Sequence, residues 1–309
     1  MSDIHGNWPA LETTAAHIEA WRPDYVIVNG DIVNRGPKSL ACWEFVKNKQ
    51  VQDGWLVTRG NHEDYVTQYL QPPDEIDDFN QISYWTFQQV GEAVAAELAA
   101  LPIEVTLEHP QGGQVRAIHA ALLGTRYGIW HHSPDDEARR QIAPAPAVFC
   151  TGHVHFPFVR PLDNTLIVNA GSAGSVCDLG DTRATYAQVT WHHGRWSAEI
   201  VRVSYDIKQA IQDYIQSGIF EEAGPVIQLI YKEWLTGWPV LPLWGRVPNG
   251  YQQVEKLGLE KAIEAFLADF TVDETVKRLA SNFYQLDSSP GRLLKGELEP
   301  ADVQNYHTH

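Results

Sequence analysis

Three cysteines, Cys42, Cys150 and Cys177, are all that 309 residues contain, and no two stand in a C-x-x-C spacing. An odd number of scattered thiols builds no disulfide framework and suits a reducing cytoplasm. Cations are also scarce: 23 Lys and Arg stand against 39 Asp and Glu, a formal net charge of -16. A chain that wraps nucleic acid nonspecifically needs a basic face to displace counterions, so no broad nucleic-acid surface is expected. A small phosphate-bearing substrate stays open, because bound cations would supply positive charge locally. No apolar run is long enough to span a membrane, and no repeat or low-complexity segment appears, so no secretory leader is expected. The expectation is a cytoplasmic protein without a membrane partner; oligomeric state is not legible.

What is present falls into two textures. Residues 24–31 (DYVIVNGD) read as a buried strand ending in a turn, and 39–49 (SLACWEFVKNK) have helical spacing. Strand and loop follow at 54–64 (GWLVTRGNHED), then a mostly helical stretch over 63–101 that breaks at QPPDE. IEVTLE and QVRAIHA read as strands, and residues 119–147 as a long irregular stretch. AVFCTGHVH, TLIVNAGS, ATYAQVTW and WSAEIVRVS supply four more strands, the last two joined by a hairpin at HHGR. Beyond about residue 204 the apolar spacing turns helical, interrupted by LTGWPVLPLWGRVPNG. The expected division is a catalytic domain over 1–204 and a helical C-terminal extension over 205–309.

Five separated segments share one design, an apolar run ending in a turn that carries Asp, Asn or His. They are SDIHGN with Asp3 and His5, NGDIVNRG with Asp31, RGNHE with Asn61 and His62, RAIHAA with His119, and TGHVH with His153 and His155. Gly6, Gly30, Gly60 and Gly152 stand beside most of them and permit tight turns. In extended backbone residues i and i+2 share a side, which is the expected reason that Asp3 meets His5 and His153 meets His155. Carboxylate, imidazole and amide donors suit transition-metal ions, and there are too many donors for one tetrahedral ion.

The ordered set D-x-H-G-N, G-D-x-V-x-R-G, G-N-H-E and G-H-x-H resembles the calcineurin-like metallophosphoesterase superfamily over roughly residues 1–204. The segment NAGSAGS at 169–175 and the following DTRATYA resemble its small bacterial phosphodiesterase branch. The resemblance implies an α/β fold, a two-layer β-sandwich flanked by helices in four αββα layers. It implies two divalent ions, with Mn2+ or Fe2+ ahead of Zn2+ or Ni2+. Asp3, His5, Asp31 and His155 would hold the first, and Asp31, Asn61, His119 and His153 the second, with Asp31 bridging. His62 would act as proton donor or phosphate contact, and Arg35 would grip phosphate. The implied reaction is phosphate-ester hydrolysis by a metal-bridging hydroxide, with a phosphodiester ahead of a dinucleoside polyphosphate, a phosphomonoester or a phosphoprotein. A non-catalytic scaffold of the same fold is the competing class.

Three departures qualify the resemblance. The family has an apolar strand before D-x-H, and this chain has none; a shortened start, exposed core and a loosely held Asp3 are expected. Asn34 stands where phosphoprotein phosphatases carry Asp, so no charge there raises the pKa of a histidine. HAA follows the motif where H-G is frequent. Outside the motifs, Arg35 has a loop-holding salt bridge as its alternative role, and Arg183 is read as structural. His131 and His132 are read as solvated loop residues, His192 and His193 as hairpin, and His307 and His309 as tail. Cys150 is read as a packed strand residue, and Trp234, Trp238 and Trp244 as anchors of the C-terminal part.

Overall fold

The computed structural model describes residues 1–71, 73–247, 249–272 and Lys277. Short parallel strands set its layout. β1 (Ile27–Asn29) and β2 (Leu56–Thr58) pair in parallel, Val28 against Val57. A second sheet holds β3 (Glu104–His109), β4 (Gly113–Ile118), β5 (Val148–Thr151), β6 (Phe158–Leu162) and β7 (Thr165–Asn169), in the order β3-β4-β5-β7-β6. Inside it β4, β5 and β7 run parallel, with β3 and β6 as antiparallel edges. β8 (Ala184–His192) and β9 (Arg195–Val203) make the expected hairpin, closed at the His192–Arg195 pair. Its Ala187, Val189, Trp196 and Ala198 pack on Val115, Val148 and Val168, so two β layers meet face to face.

Helices close both outer faces. α1 (Trp8–Trp21), α2 (Ser39–Asp53), α3 (Asn61–Thr67) and α4 (Gln81–Ala99) contribute Leu11, Trp43, Val66 and Leu98 to one core with Val28 and Val57. α5 (Asp135–Gln141) places Ala138 against Ile118, Phe149 and Ile167 on the other side. The chain is mixed α/β with β layers flanked by helices.

Three elements stand outside the sequence expectation. Residues 8–21 have no element assigned to them, yet form α1, capped by Asn7, which accepts from Ala10 N at 3.2 Å, and opened by Pro9. That Asn–Pro pair is a helix-start signal. The irregular stretch contains α5, whose first turn carries Asp135, Asp136 and Glu137 and whose last carries Arg139 and Arg140, matching the helix dipole. Pro161 argues against a strand at 158–162, but β6 is an edge, where a missing N–H is tolerated.

The two sheets are tied where their parallel strands end. Asn29 Nδ2 donates to Ile118 O at 3.1 Å and Cys150 O at 3.3 Å, and Asn29 Oδ1 accepts from Thr58 Oγ1 at 2.8 Å. The ends of β1, β2, β4 and β5 therefore converge. Residues 1–4 thread beside them: Asn29 N donates to Met1 O, Asp3 N to Gly30 O, and Gly174 N to Asp3 O. Asp3 is fully buried and held on both sides, which corrects the expectation of looseness. An apolar cleft of about 430 Å³, lined by Met1, Ile27, Val115, Cys150, Val168 and Tyr186 among others, opens next to it.

From residue 207 the described chain is helical: α6 (Ile207–Gln216), α7 (Ile219–Glu222), α8 (Ile227–Thr236), α9 (Val240–Trp244), α10 (Val254–Leu257) and α11 (Leu259–Asp269). Tyr214, Ile230, Trp234, Trp244 and Phe266 build a core of their own that incorporates Ile82 and Trp85 of α4. Trp238 packs against that core from its edge. His307 and His309 lie outside the described residues. No described helix is long and apolar enough to cross a membrane.

Trp85 is 2% exposed and donates from Nε1 to Glu222 Oε2 at 2.9 Å, so it joins the helical part to the core by packing and by a hydrogen bond. Trp85→Ala should lower the unfolding free energy by about 3–5 kcal/mol in a denaturant titration. A loss below about 1 kcal/mol would show that the two parts do not depend on this contact.

Candidate metal centre

Apart from Asp3 and His5, which precede the first element, each motif residue follows a strand or stands in the loop after it, and the strand ends bring them together. Asp31 follows β1, Asn61 and His62 follow β2, His119 follows β4, and His153 and His155 follow β5. Two groups of closely spaced donors result: Asp3, His5, Asp31 and His155, and Asp31, His119 and His153. Within each group the donor atoms lie within 4.8 Å of one another, and Asp31 belongs to both. Asn61 joins the second group, its Oδ1 lying 2.8 Å from His153 Nδ1 and 3.2 Å from His119 Nε2.

The i, i+2 pairs do not converge through extended backbone. Asp3, His5, Asp31, His153 and His155 all have φ between 49° and 67°, the left-handed region. Coils with this curvature turn successive side chains inward, at a local cost of about 1–3 kcal/mol per residue. The surroundings hold them there. The buried Glu63 carboxylate accepts from Asp31 N at 2.8 Å, Ile32 N at 2.7 Å and Gly60 N at 2.7 Å. Ser172 Oγ donates to Asp3 O at 2.7 Å, and Asn169 Nδ2 to Gly152 O at 2.7 Å. A side chain at Gly60 would collide with the Asp31 carboxylate, and one at Gly152 with Ser2 and Asp3, so these loops approach as only glycine allows.

Hydrogen bonds also fix two imidazoles. His119 Nδ1 lies 2.8 Å from Asn29 O and His155 Nδ1 2.5 Å from Ser175 O. A carbonyl only accepts, so each Nδ1 carries a proton and turns its Nε2 into the cage. His155 Nε2 then faces Asp3 Oδ1 at 3.2 Å and His5 Nε2 at 3.1 Å; His119 Nε2 faces Asp31 Oδ2 at 3.2 Å. Carboxylate oxygens and ring nitrogens thus converge on one buried space that a cation would fit. The donor set, with two rings oriented by backbone carbonyls, fits divalent transition metals.

Burial and neighbouring charge pull these groups in different directions. Burial, reinforced by neighbouring cationic groups, holds His5 and His62 well below their ordinary range. Burial likewise lowers His153 to about 4. Burial opposes charge on His119 too, but Asp31 and Asp3 outweigh it and raise the group to about 10. Burial works against the Asp31 anion, yet His119 and His62 hold it well below the usual carboxylate range. Burial and Asp31 raise Glu63 to about 7, against the N–H donors that favour its charged form.

His62 stands edge-on to His5, ring centres 4.6 Å apart, and its backbone N–H donates to Asp31 Oδ1 at 2.9 Å. Its Nδ1 is buried without a partner among the described residues. Asn34 does not serve His62: it donates to Ser83 Oγ at 2.9 Å and accepts from Arg35 N at 2.8 Å. Arg35 makes a salt bridge with Glu233 at 3.2 Å, the alternative its sequence left open. The other candidates stay apart from these groups in their contacts. Arg183 pairs with Asp181, His192 and His193 face each other at the hairpin turn, and His131 lies against Phe156 and Phe158. Cys150 lies in β5, and burial raises its thiol to about 11. Sequence reasoning missed Glu63, Asn169, Ser172 and Glu233. Glu63 had a signal, since it is the third residue of α3 after the Gly60 cap, where a carboxylate closes a capping box.

Comparisons with known proteins point one way. A family model described as calcineurin-like phosphoesterase matches residues 1–157. The protein MJ0912 of Methanocaldococcus jannaschii is 27% identical over 240 residues, 72% of this chain and 94% of that protein. The crystal structure of PH1004 from Pyrococcus horikoshii superposes with a TM-score of 0.62 at 18% identity, covering 74% of this chain and 95% of that one. A metallophosphoesterase from Sphaerobacter thermophilus superposes with a TM-score of 0.59 at 23% identity, covering 77% and 98%.

Glu63→Ala would strand the buried N–H groups of Asp31, Ile32 and Gly60. Each costs about 1–3 kcal/mol unpaired, so the unfolding free energy should drop by about 3 kcal/mol or more. Elemental analysis should find metal lost with it. Full metal content in a Glu63→Ala protein would show that the Asp31 turn stands without this carboxylate.

Proposed function

The chain belongs to the calcineurin-like phosphoesterase family, and from that premise we propose that it hydrolyses phosphodiesters with the help of two divalent cations. One observation carries the reading: Asp31 is common to two groups of metal donors. Asp3, His5, Asp31 and His155 would hold one ion, and Asp31, Asn61, His119 and His153 the other. Such a pair, when bound, supplies Lewis-acid polarisation of phosphoryl oxygens and activation of water. We assign this work to residues 1–204 and leave the described helices from α6 to α11 to shape the site's rim.

The chain's own groups supply the rest. Hydrolysis adds water across a P–O ester bond, and the leaving oxygen takes a proton. His62 is the group placed to handle that proton or to bind a phosphoryl oxygen, with a buried Nδ1 uncommitted among the described residues. Asn34, engaged by Ser83 and Arg35, adds no charge to His62. That supports a diester specialist over a phosphoprotein phosphatase. The Arg35 guanidinium, at the rim, would meet the substrate's equatorial oxygens. The acidic surface implied by a net charge of -16 favours a small substrate over a polynucleotide. Manganese is the metal to try first, and the reducing cytoplasm is the compartment that the thiol usage suits.

The purified protein should contain two transition-metal ions per chain by elemental analysis. With Mn2+ it should cleave a bis(aryl) phosphate faster than the aryl monoester, a dinucleoside tetraphosphate or a phosphopeptide. Asp31→Asn should lose both ions. His62→Ala should keep both and lose about 10²–10⁴-fold in kcat. Metal loss in His62→Ala would make His62 a ligand, and a protein with neither metal nor turnover would be a binding scaffold.

A further inference from the structure

Glu233 lies on α8, far beyond the residues that match the family, yet it reaches the metal centre. One of its carboxylate oxygens lies within 4.8 Å of a ring nitrogen of His155 and of the Cys177 sulfur. This trio is not a third cation site by its geometry. His155 commits Nδ1 to Ser175 O and turns Nε2 toward Asp3 and His5. Burial, with Glu233 adding to it, pushes the Cys177 thiol well above its ordinary range, so it stays protonated. The work left for Glu233 is on Arg35. Its Oε1 meets Arg35 Nη1 at 3.2 Å, and Leu241 N donates to its Oε2 at 3.2 Å. Both oxygens are thereby oriented, and the carboxylate is 1% exposed while the arginine is 18% exposed.

The Arg35 loop is held from a second helix as well. Tyr214 of α6 donates to Arg35 O at 2.6 Å, and its buried ring stands edge-on to Trp234 with centres 4.5 Å apart. Asn34 and Arg35 are consecutive left-handed residues, φ 71° and 64°, a strained turn that needs such support. Arg35 has capacity left over. Glu233 takes a single Nη, and Arg35 Nε is buried without a partner among the described residues.

Resting on the phosphoesterase reading above, we propose that Glu233 is a specificity-determining residue: by neutralising Arg35 at the rim of the cage, it makes the site favour singly charged phosphodiesters over doubly charged phosphomonoesters. A phosphodiester carries one negative charge and a monoester dianion two. Each unit of charge at the rim therefore weighs more heavily on the monoester. With Arg35 and Glu233 paired, the rim offers little net positive charge for the second one. The guanidinium keeps its free donors for hydrogen bonds to a single phosphoryl group. The selection is made by charge, and it comes from the helical part, not from the shared cage.

The test compares kcat/KM for an aryl phosphomonoester and a bis(aryl) phosphodiester on the Mn2+-loaded full-length enzyme. Glu233→Gln keeps size and acceptor geometry and removes the charge. It should raise the monoester-to-diester ratio by about tenfold, as a unit charge change several ångströms away at intermediate dielectric implies. Glu233→Asp should keep the wild-type ratio. Arg35→Ala should move the ratio the other way, and this arm decides the matter if Glu233→Gln does not fold. A binding arm runs beside the kinetics: by calorimetry, Glu233→Gln should tighten inorganic phosphate relative to dimethyl phosphate by the same factor. Unmoved ratios in a metal-replete Glu233→Gln protein, or in Arg35→Ala, would overturn the proposal and leave Glu233 a structural residue. Failure of the wild-type protein to turn over either ester would instead overturn the phosphoesterase reading.

Discussion

The structure depends on one costly act, the burial of Asp3 and Asp31 among the imidazoles of His5, His62, His119 and His155. A buried carboxylate without compensation is expensive, and neighbouring carboxylates repel each other. The Nε2 atoms of His119 and His155, whose other ring nitrogens are held by backbone carbonyls, face those same carboxylates. Hydrophobic packing does not resolve such an arrangement. Divalent cations would, and Asp31 is the atom group through which two of them would be coupled. The fold is the means by which donor side chains scattered from residue 3 to residue 155 are delivered to one place.

Delivery requires backbone that ordinary residues avoid. Among the described residues, seven of the eleven non-glycine positions with positive φ belong to the site or its rim: Asp3, His5, Asp31, Asn34, Arg35, His153 and His155. At about 1–3 kcal/mol each, their strain approaches the whole stability of a typical domain. Such turns persist only where the surroundings over-determine them. Glu63 does this for the Asp31 turn, Ser172 and Gly174 for Asp3, and Asn169 for the G-H-x-H loop. The NAGSAGS segment thus acts as a brace between two ligand loops, which explains why it is rich in small residues with side-chain donors and acceptors.

Much of this was legible in the chain itself, and what was not has identifiable causes. The strands that carry ligands were readable because each is a short apolar run closed by glycine and a polar turn. The candidate donors could be named from the chain because motif order is specific. Local backbone shape was not, since an i, i+2 spacing fits an extended strand and a left-handed coil alike. α1 escaped notice although its Asn7 cap and Pro9 announce a helix. β6 escaped because Pro161 speaks against a strand until its edge position is known. The bracing residues lay within quoted motifs, but a brace is defined by its partner across the sheet, and that pairing exists only in three dimensions.

The partner of Arg35 is the sharpest instance. Nothing near residue 35 in the chain says whether its guanidinium stands free or paired, and its counter-ion lies 198 residues away. The cage and its rim therefore have different origins. The cage comes from strand ends and turns largely within the family-matched residues, with backbone braces that tolerate little change. The charge that meets Arg35 comes from a helix packed on that frame through Tyr214 and Trp234, where by our proposal one substitution would alter the field and leave the donors in place. A frame that fixes chemistry and a separate helix that sets charge allow substrate preference to change while the reaction stays the same.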